Sequence, residues 1–168
     1  MSQEMNSGIY HVANYGITTL EDEIRVDGLC RQLLQHFHQY LLREKCLEPL
    51  EAGALAGGAD FFLRDYMIDK CRANLFEISA ARISGFAGNW YIVSTLEPNL
   101  QELNDILKGV YLFYCFCAEK GLIENDLLQP VESSCGQLDF YRQRISSFHA
   151  LEGDGFGAWN ASCPVSGE

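Results

Sequence analysis

Apolar positions recur along this chain at intervals of three and four, and nowhere do they alternate over a strand's length. From Asp27 the segment DGLCRQLLQHFHQYLLREKC puts Leu29, Leu33, Phe37, Tyr40 and Leu41 on one stripe, with Leu34 and Leu42 at its edge. That spacing predicts an amphipathic helix, and the Asp27 carboxylate can cap it by accepting from the first free amides. Glu48-Pro49 closes the region. The run EAGALAGGAD that follows is too rich in small residues for a core of its own, so it reads as a connector, Gly57-Gly58 included. Asp60 then caps a second predicted helix, FFLRDYMIDKCRANLF, whose apolar side is Phe62, Leu63, Tyr66, Met67 and Cys71. Ser79 caps a third, AARISGFAGNWYIVST, through Ile83, Phe86, Trp90 and Val93. Its Gly85 and Gly88 each cost about 1 kcal/mol relative to alanine, or else mark a close crossing of helices.

The fourth predicted helix has the clearest punctuation. Pro98 stops what precedes it, Asn99 supplies the cap, and Glu102 stands three residues later, where a carboxylate can reach back. Leu100, Leu103, Ile106, Leu107, Val110, Tyr111, Tyr114 and Cys117 form one broad stripe. Gly121 then ends the helix in a left-handed turn, with Leu122 folding back. A fifth helix, 131–148, carries Leu138, Tyr141, Ile145 and Phe148. WYIV, at Trp90–Val93, is the longest segment that could be read as a strand, and there is no internal repeat. The expectation is an all-α, compact bundle of about five helices: an N-terminal arm over 1–26, a single helical domain over 27–148 and a flexible tail over 149–168.

Composition fits that picture. With 48% hydrophobic residues and four prolines among 168 residues, the chain can bury a core. The opening MSQEMNSGIYHVANYG lacks the basic and apolar regions of a secretory signal, and the longest apolar run, Tyr111–Ala118, falls short of the ~20 residues a membrane helix needs. Seven cysteines, an odd number, without such a signal point to free thiols in a reducing compartment, and the expected location is the cytoplasm with no membrane partner. The net charge of −11 is uneven: residues 1–60 carry −5, residues 61–120 carry −1, and residues 121–168 carry −5. Phosphate backbones are repelled by such a balance unless basic groups gather on one face.

The stretch that looks most like chemistry is GVYLFYCFCAEKG, at Gly109–Gly121. On a helix Cys115 and Cys117 point about 200° apart, so they cannot chelate one ion together. No C-x-x-C pair occurs, and the stretch is read as one wall of the core. His36 and His38 diverge by the same geometry and are read as packing groups, while His11 and His149 have no recognisable partners. Asp65 and Asp69 share a face, but with Arg64, Lys70 and Arg72 around them they read as a solvated salt-bridge face rather than metal ligands. No nucleophile elbow, phosphate-binding loop or dinucleotide fingerprint is present. Asn160-Ala-Ser matches a glycosylation acceptor, which has no meaning in the cytoplasm. No catalytic residue, metal or cofactor is expected.

Residues from about 61 to 127 nevertheless show a familiar order of signals. A Phe- and Leu-rich helix precedes LFEISAARISGFA, and a long helix then ends in FYCFCAEKGLIEND. This order resembles the N-terminal, SAM-like core-binding domain of tyrosine recombinases and phage integrases, in which a helical bundle clasps one face of DNA and a separate domain cuts and rejoins it. Here Asp126 stands where the family often has proline. The residues after Asn125 are too few for the catalytic domain, and His149-Ala-Leu-Glu is not its His-x-x-Arg element. If the resemblance extends to nucleic acid, the residues that would meet phosphate are Arg64, Lys70, Arg72, Arg82, Lys108 and Lys120. Asp65, Asp69, Glu102, Asp105 and Glu119 dilute them. Two readings follow. The first is a non-enzymatic interaction module that binds a protein partner or itself. The second is a DNA-binding domain related to these recombinases without their catalytic half, which the net charge disfavours.

Overall fold

The computed structural model describes residues 8–162, and among them every regular element is helical. A short 3-10 turn, Val12–Tyr15, leads into α1, Leu20–Arg43. The helix starts at Leu20, not after Asp27, because Thr19 caps it. The Asp22 amide donates to Thr19 Oγ1 at 3.1 Å, and the Asp22 carboxylate accepts from the Thr19 and Thr18 amides at 3.1 and 3.0 Å. Asp27 lies inside the helix and turns to Arg64 instead, at 2.8 Å. Residues ahead of α1 are tied to the bundle: Ile9 and Tyr15 are buried, the Tyr15 hydroxyl donates to the Ile9 carbonyl at 2.7 Å, and Asn74 Nδ2 donates to the Val12 carbonyl at 2.9 Å.

The Thr18 amide and hydroxyl, with Arg25 behind them, hold the Asp22 carboxyl well below its ordinary range. A depressed carboxyl stabilises the fold above its unfolded value near 3.9, and that contribution is lost as the pH falls through the lower folded value. Thr19→Ala should lower stability by about 1 kcal/mol near neutral pH, read as an earlier urea midpoint. Asp22→Asn should also lower that midpoint at neutral pH, and the gap from wild type should close on acidification below about pH 4. A gap that persists unchanged into strong acid would contradict the cap.

The small-residue run is not a connector. It forms α2, Pro49–Asp60, which starts with proline in its first turn and continues unbroken as a π-helical segment, Phe61–Lys70. Asp60 is therefore helical and caps nothing. The small residues let α2 cross helix α4, Leu100–Glu119, at backbone distance. A Cβ on Gly109 would stand 2.2 Å from the Leu55 carbonyl oxygen, and one on Gly58 would stand 2.9 Å from Ile106 Cα. Since Leu55 meets Gly109 while Gly58 meets Ile106, the two helices run antiparallel. The next helix, α3, covers Ala80–Gly85 and continues through a second π-helical segment, Phe86–Trp90, into a last turn, Tyr91–Ser94. WYIV is thus helical. Ser79 caps α3 as expected, accepting from the Arg82 amide at 3.2 Å. The two π segments meet through Phe61, Phe62, Tyr66, Phe86 and Trp90, with ring centroids 5.0 to 5.9 Å apart.

Helix α4 is the centre of the core. Asn99 accepts from the Glu102 amide at 2.8 Å, as its sequence predicts. The Glu102 carboxylate, however, does not reach the Asn99 amide. The buried Tyr91 hydroxyl stands between them, donating to Glu102 Oε1 at 2.9 Å and accepting from the Asn99 amide at 3.2 Å. Gly121 has φ of 73°, the Leu122 amide donates to the Cys117 carbonyl and the Gly121 amide to Ala118, so the predicted left-handed stop is present. Phe113, Tyr114, Phe116 and Cys117 are all buried, and the aromatic stretch is a core wall.

The predicted fifth helix is two: α5, Leu128–Cys135, and α6, Leu138–His149, broken at Gly136-Gln137. The Tyr141 hydroxyl, donating to the Ser134 carbonyl at 2.5 Å, ties them together. Gly88 meets α6 closely, its missing Cβ 3.2 Å from Phe140 Cε1. Residues 149–162, read as flexible, include a seventh helix, α7, Phe156–Ala161. Its anchor is Arg144, which is buried and stacks 3.9 Å from the Trp159 ring. Residues 163–168, with Cys163, lie outside the described residues.

Candidate interaction surface

The N-terminal half of α1 and the π segment Phe61–Lys70 lie side by side, and a cleft of about 340 Å³ opens between them. Leu20, Glu23, Ile24 and Asp27 recur at helical spacing on one wall, while Arg64, Asp65, Ile68 and Asp69 form the other. Ile68 is buried, whereas Leu20 and Ile24 are 67% and 66% exposed. A single exposed leucine needs no explanation, but an adjacent pair beside a facing apolar residue forms a patch. Four carboxylates line it. Arg64 is held by Asp27 at 2.8 Å and Asp60 at 3.3 Å, and Arg72 lies 3.5 Å from Glu23. Among the described residues Asp65 and Asp69 form no ion pair: Arg64 pairs with Asp60 one turn back on its own continuous helix and with Asp27 on α1, and Arg72 reaches across to Glu23. Partial burial and the Asp60 carboxylate push the Asp65 carboxyl up.

The same pairs bear on the phosphate-contact candidates. Arg64 and Arg72 are engaged by carboxylates, and Arg72 sits at a positive φ of 50°. Lys70 and Lys108 are exposed, and Arg82 is half-buried. Lys120, at the far end of α4, lies over the rings of Tyr10 and Phe116 at 6.0 and 5.8 Å. The structure thus leaves fewer free cations than the sequence offered.

Elsewhere several of the polar groups serve the fold. A cleft of about 590 Å³ at the α2–α4 crossing is lined by Glu102 and Asp105, but Glu102 serves the cap through Tyr91, whose hydroxyl is pushed up to about 12, chiefly by burial. His36 packs edge-on to Tyr10 at 5.9 Å, and His149 Nε2 lies 3.3 Å from the Pro98 carbonyl. His38 Nε2 is buried without a hydrogen-bond partner. Among the described residues no group of three His, Cys, Asp or Glu side chains could hold a metal ion, and no helix is long and apolar enough to cross a membrane.

The thiols sort by exposure. Cys30, Cys117 and Cys135 are buried, and burial pushes all three up, Cys135 to about 12, while Cys46 is exposed. Because the thiolate is the nucleophile, iodoacetamide should label Cys46 in the native protein at least tenfold (about one order of magnitude) faster than Cys30, Cys117 or Cys135. Peptide mass spectrometry would check this, and rapid labelling of Cys117 without denaturant would contradict the core assignment.

Comparison with protein-family models, curated protein sequences and solved structures gave no match. The reading of the site therefore rests on its geometry. The exposed pair Leu20 and Ile24 lies in the stretch that the sequence pattern assigns to an arm, so periodicity alone does not find it. Thr19-x-x-Asp22 ahead of an apolar repeat is the signal that reveals the helix there.

Proposed function

We propose that this protein is a non-enzymatic helical interaction module whose partner is a protein. The observation that carries the reading is the patch of Leu20 and Ile24, two-thirds exposed and rimmed by Glu23, Asp27, Asp65 and Asp69. Fully burying such side chains is worth about 1.5 to 3 kcal/mol each, a driving force that the monomer leaves unused. The recombinase-like reading, DNA binding without a catalytic half, draws on Lys70, Arg82, Lys108 and Lys120. The capture of Arg64 and Arg72 by carboxylates and the net charge of −11 weigh against it.

A photo-crosslinking side chain placed at position 24, with a second at position 96, fully exposed and outside both clefts, as control, separates the alternatives in the source cells. The expected product at position 24 is an adduct with a different polypeptide that is missing from the control. An adduct with nucleic acid would move the DNA-binding reading into first place. Adducts that are equal at the two positions would remove this surface from consideration.

A further inference from the structure

We infer that the cleft between α1 and the π segment receives a basic amphipathic helix of another protein, its apolar residues on Leu20, Ile24 and Ile68 and its lysines or arginines against the acidic rim. This rests on the protein-binding reading and names the partner's chemistry.

The apolar requirement comes from the cleft's shape. Leu20 and Ile24 are one helical turn apart on one wall, and Ile68 is the buried apolar residue of the facing wall. Such a groove takes side chains spaced three and four residues apart on one face of a helix. The charge requirement comes from the rim. Arg64 is divided between Asp27 and Asp60, Arg72 faces Glu23, and Asp65 and Asp69 remain without an ion pair among the described residues. Glu21 adds a further exposed acidic residue next to Leu20. An incoming lysine or arginine finds carboxylates that need not break an existing pair.

The same charges argue against a second copy as the occupant. A symmetric dimer would lay the patch on itself and bring Asp65 and Asp69 of each copy toward the like-charged rim of the other. Like charges juxtaposed across an interface cost several kcal/mol. Nucleic acid is repelled for the same reason, and neither Leu20 nor Ile24 offers it a hydrogen bond.

The test uses the full chain and three fluorescent peptides of equal length: an amphipathic Leu/Lys helix, a scrambled Leu/Lys peptide of the same composition, and an amphipathic Leu/Glu helix. In an anisotropy titration the amphipathic Leu/Lys peptide should bind and the other two should bind at least tenfold (about one order of magnitude) more weakly. Ile24→Ala should weaken binding about tenfold, since it removes most of one apolar anchor. Asp65→Asn with Asp69→Asn should weaken it about threefold and flatten its salt dependence. Both changes fall at exposed positions, so the fold is retained. Equal binding of the scrambled peptide would reduce the effect to net charge and overturn the inference, as would indifference to Ile24→Ala. A dimer lost on Ile24→Ala would assign the groove to a second copy and overturn it too. If position 24 crosslinks a different polypeptide while the Leu/Lys helix fails to bind, the protein-binding reading stands and this partner chemistry falls.

Discussion

Gly109→Ala will cost the fold about 3 kcal/mol or more, while the same substitution at Gly57 will stabilise it by about 1 kcal/mol. At Gly109 the added methyl would stand 2.2 Å from the Leu55 carbonyl oxygen and 3.2 Å from the Ala59 amide nitrogen. Both are backbone atoms, so no side chain can step aside and α2 and α4 must separate. That separation would open the contact between the central helix and its closest neighbour. Gly57 lies on the exposed side of α2 with nothing within 4 Å of where a new methyl would stand, so there alanine brings only its better helix propensity. Urea denaturation of the two variants should shift the midpoint in opposite directions. Shifts of the same sign would mean that α2 does not cross α4 through its small residues.

Arg144→Met should be as damaging, at about 3 kcal/mol or more. Arg144 Nε donates to the Gly88 carbonyl at 2.8 Å, one terminal nitrogen to the Trp159 carbonyl at 2.9 Å and Ser162 Oγ at 2.7 Å, and the other to Asn89 Oδ1 at 3.0 Å. Methionine fills much of the same space but donates nothing, leaving these acceptors to find water or stay unpaired. Arg144→Lys should rescue little, because a point ammonium cannot span acceptors spread over both the Gly88-Asn89 segment and the last helix. The expected signature is a lower melting temperature, together with proteolytic cleavage near α7 under conditions that leave the wild type intact. A variant that melts normally and resists cleavage would show that Trp159, not Arg144, fixes the last helix.

What the sequence made legible was local. Ser79, Asn99 and Gly121 act through atoms within a few residues of themselves, and each does what its chemistry predicts. The misreadings came where distant groups decide. EAGALAGGAD has no apolar stripe because its partner is the backbone of α4, which needs absence of side chain rather than apolar surface. Asp27 and Asp60 look like caps in isolation, but each is inside a helix and faces Arg64. LEGDGFGAWNASC has no helical period, yet one tryptophan against one buried arginine holds its helix in place. Phe61–Lys70 and Phe86–Trp90 are π-helical, so a 3.6-residue period finds their buried aromatics but misses Ile68, which lines the cleft. The candidate surface was hidden for a related reason: it joins the start of one helix to the middle of another.

The acid-rimmed groove as a docking site for a basic helix is tested most directly by methyl NMR of the isoleucine- and leucine-labelled protein titrated with the amphipathic Leu/Lys peptide. The resonances of Leu20, Ile24 and Ile68 should move together and saturate, while Leu50 and Leu96, 88% and 102% exposed but outside the cleft, should stay in place. Shifts centred on Leu50 or Leu96, or no saturable shift at Leu20 and Ile24, would contradict it.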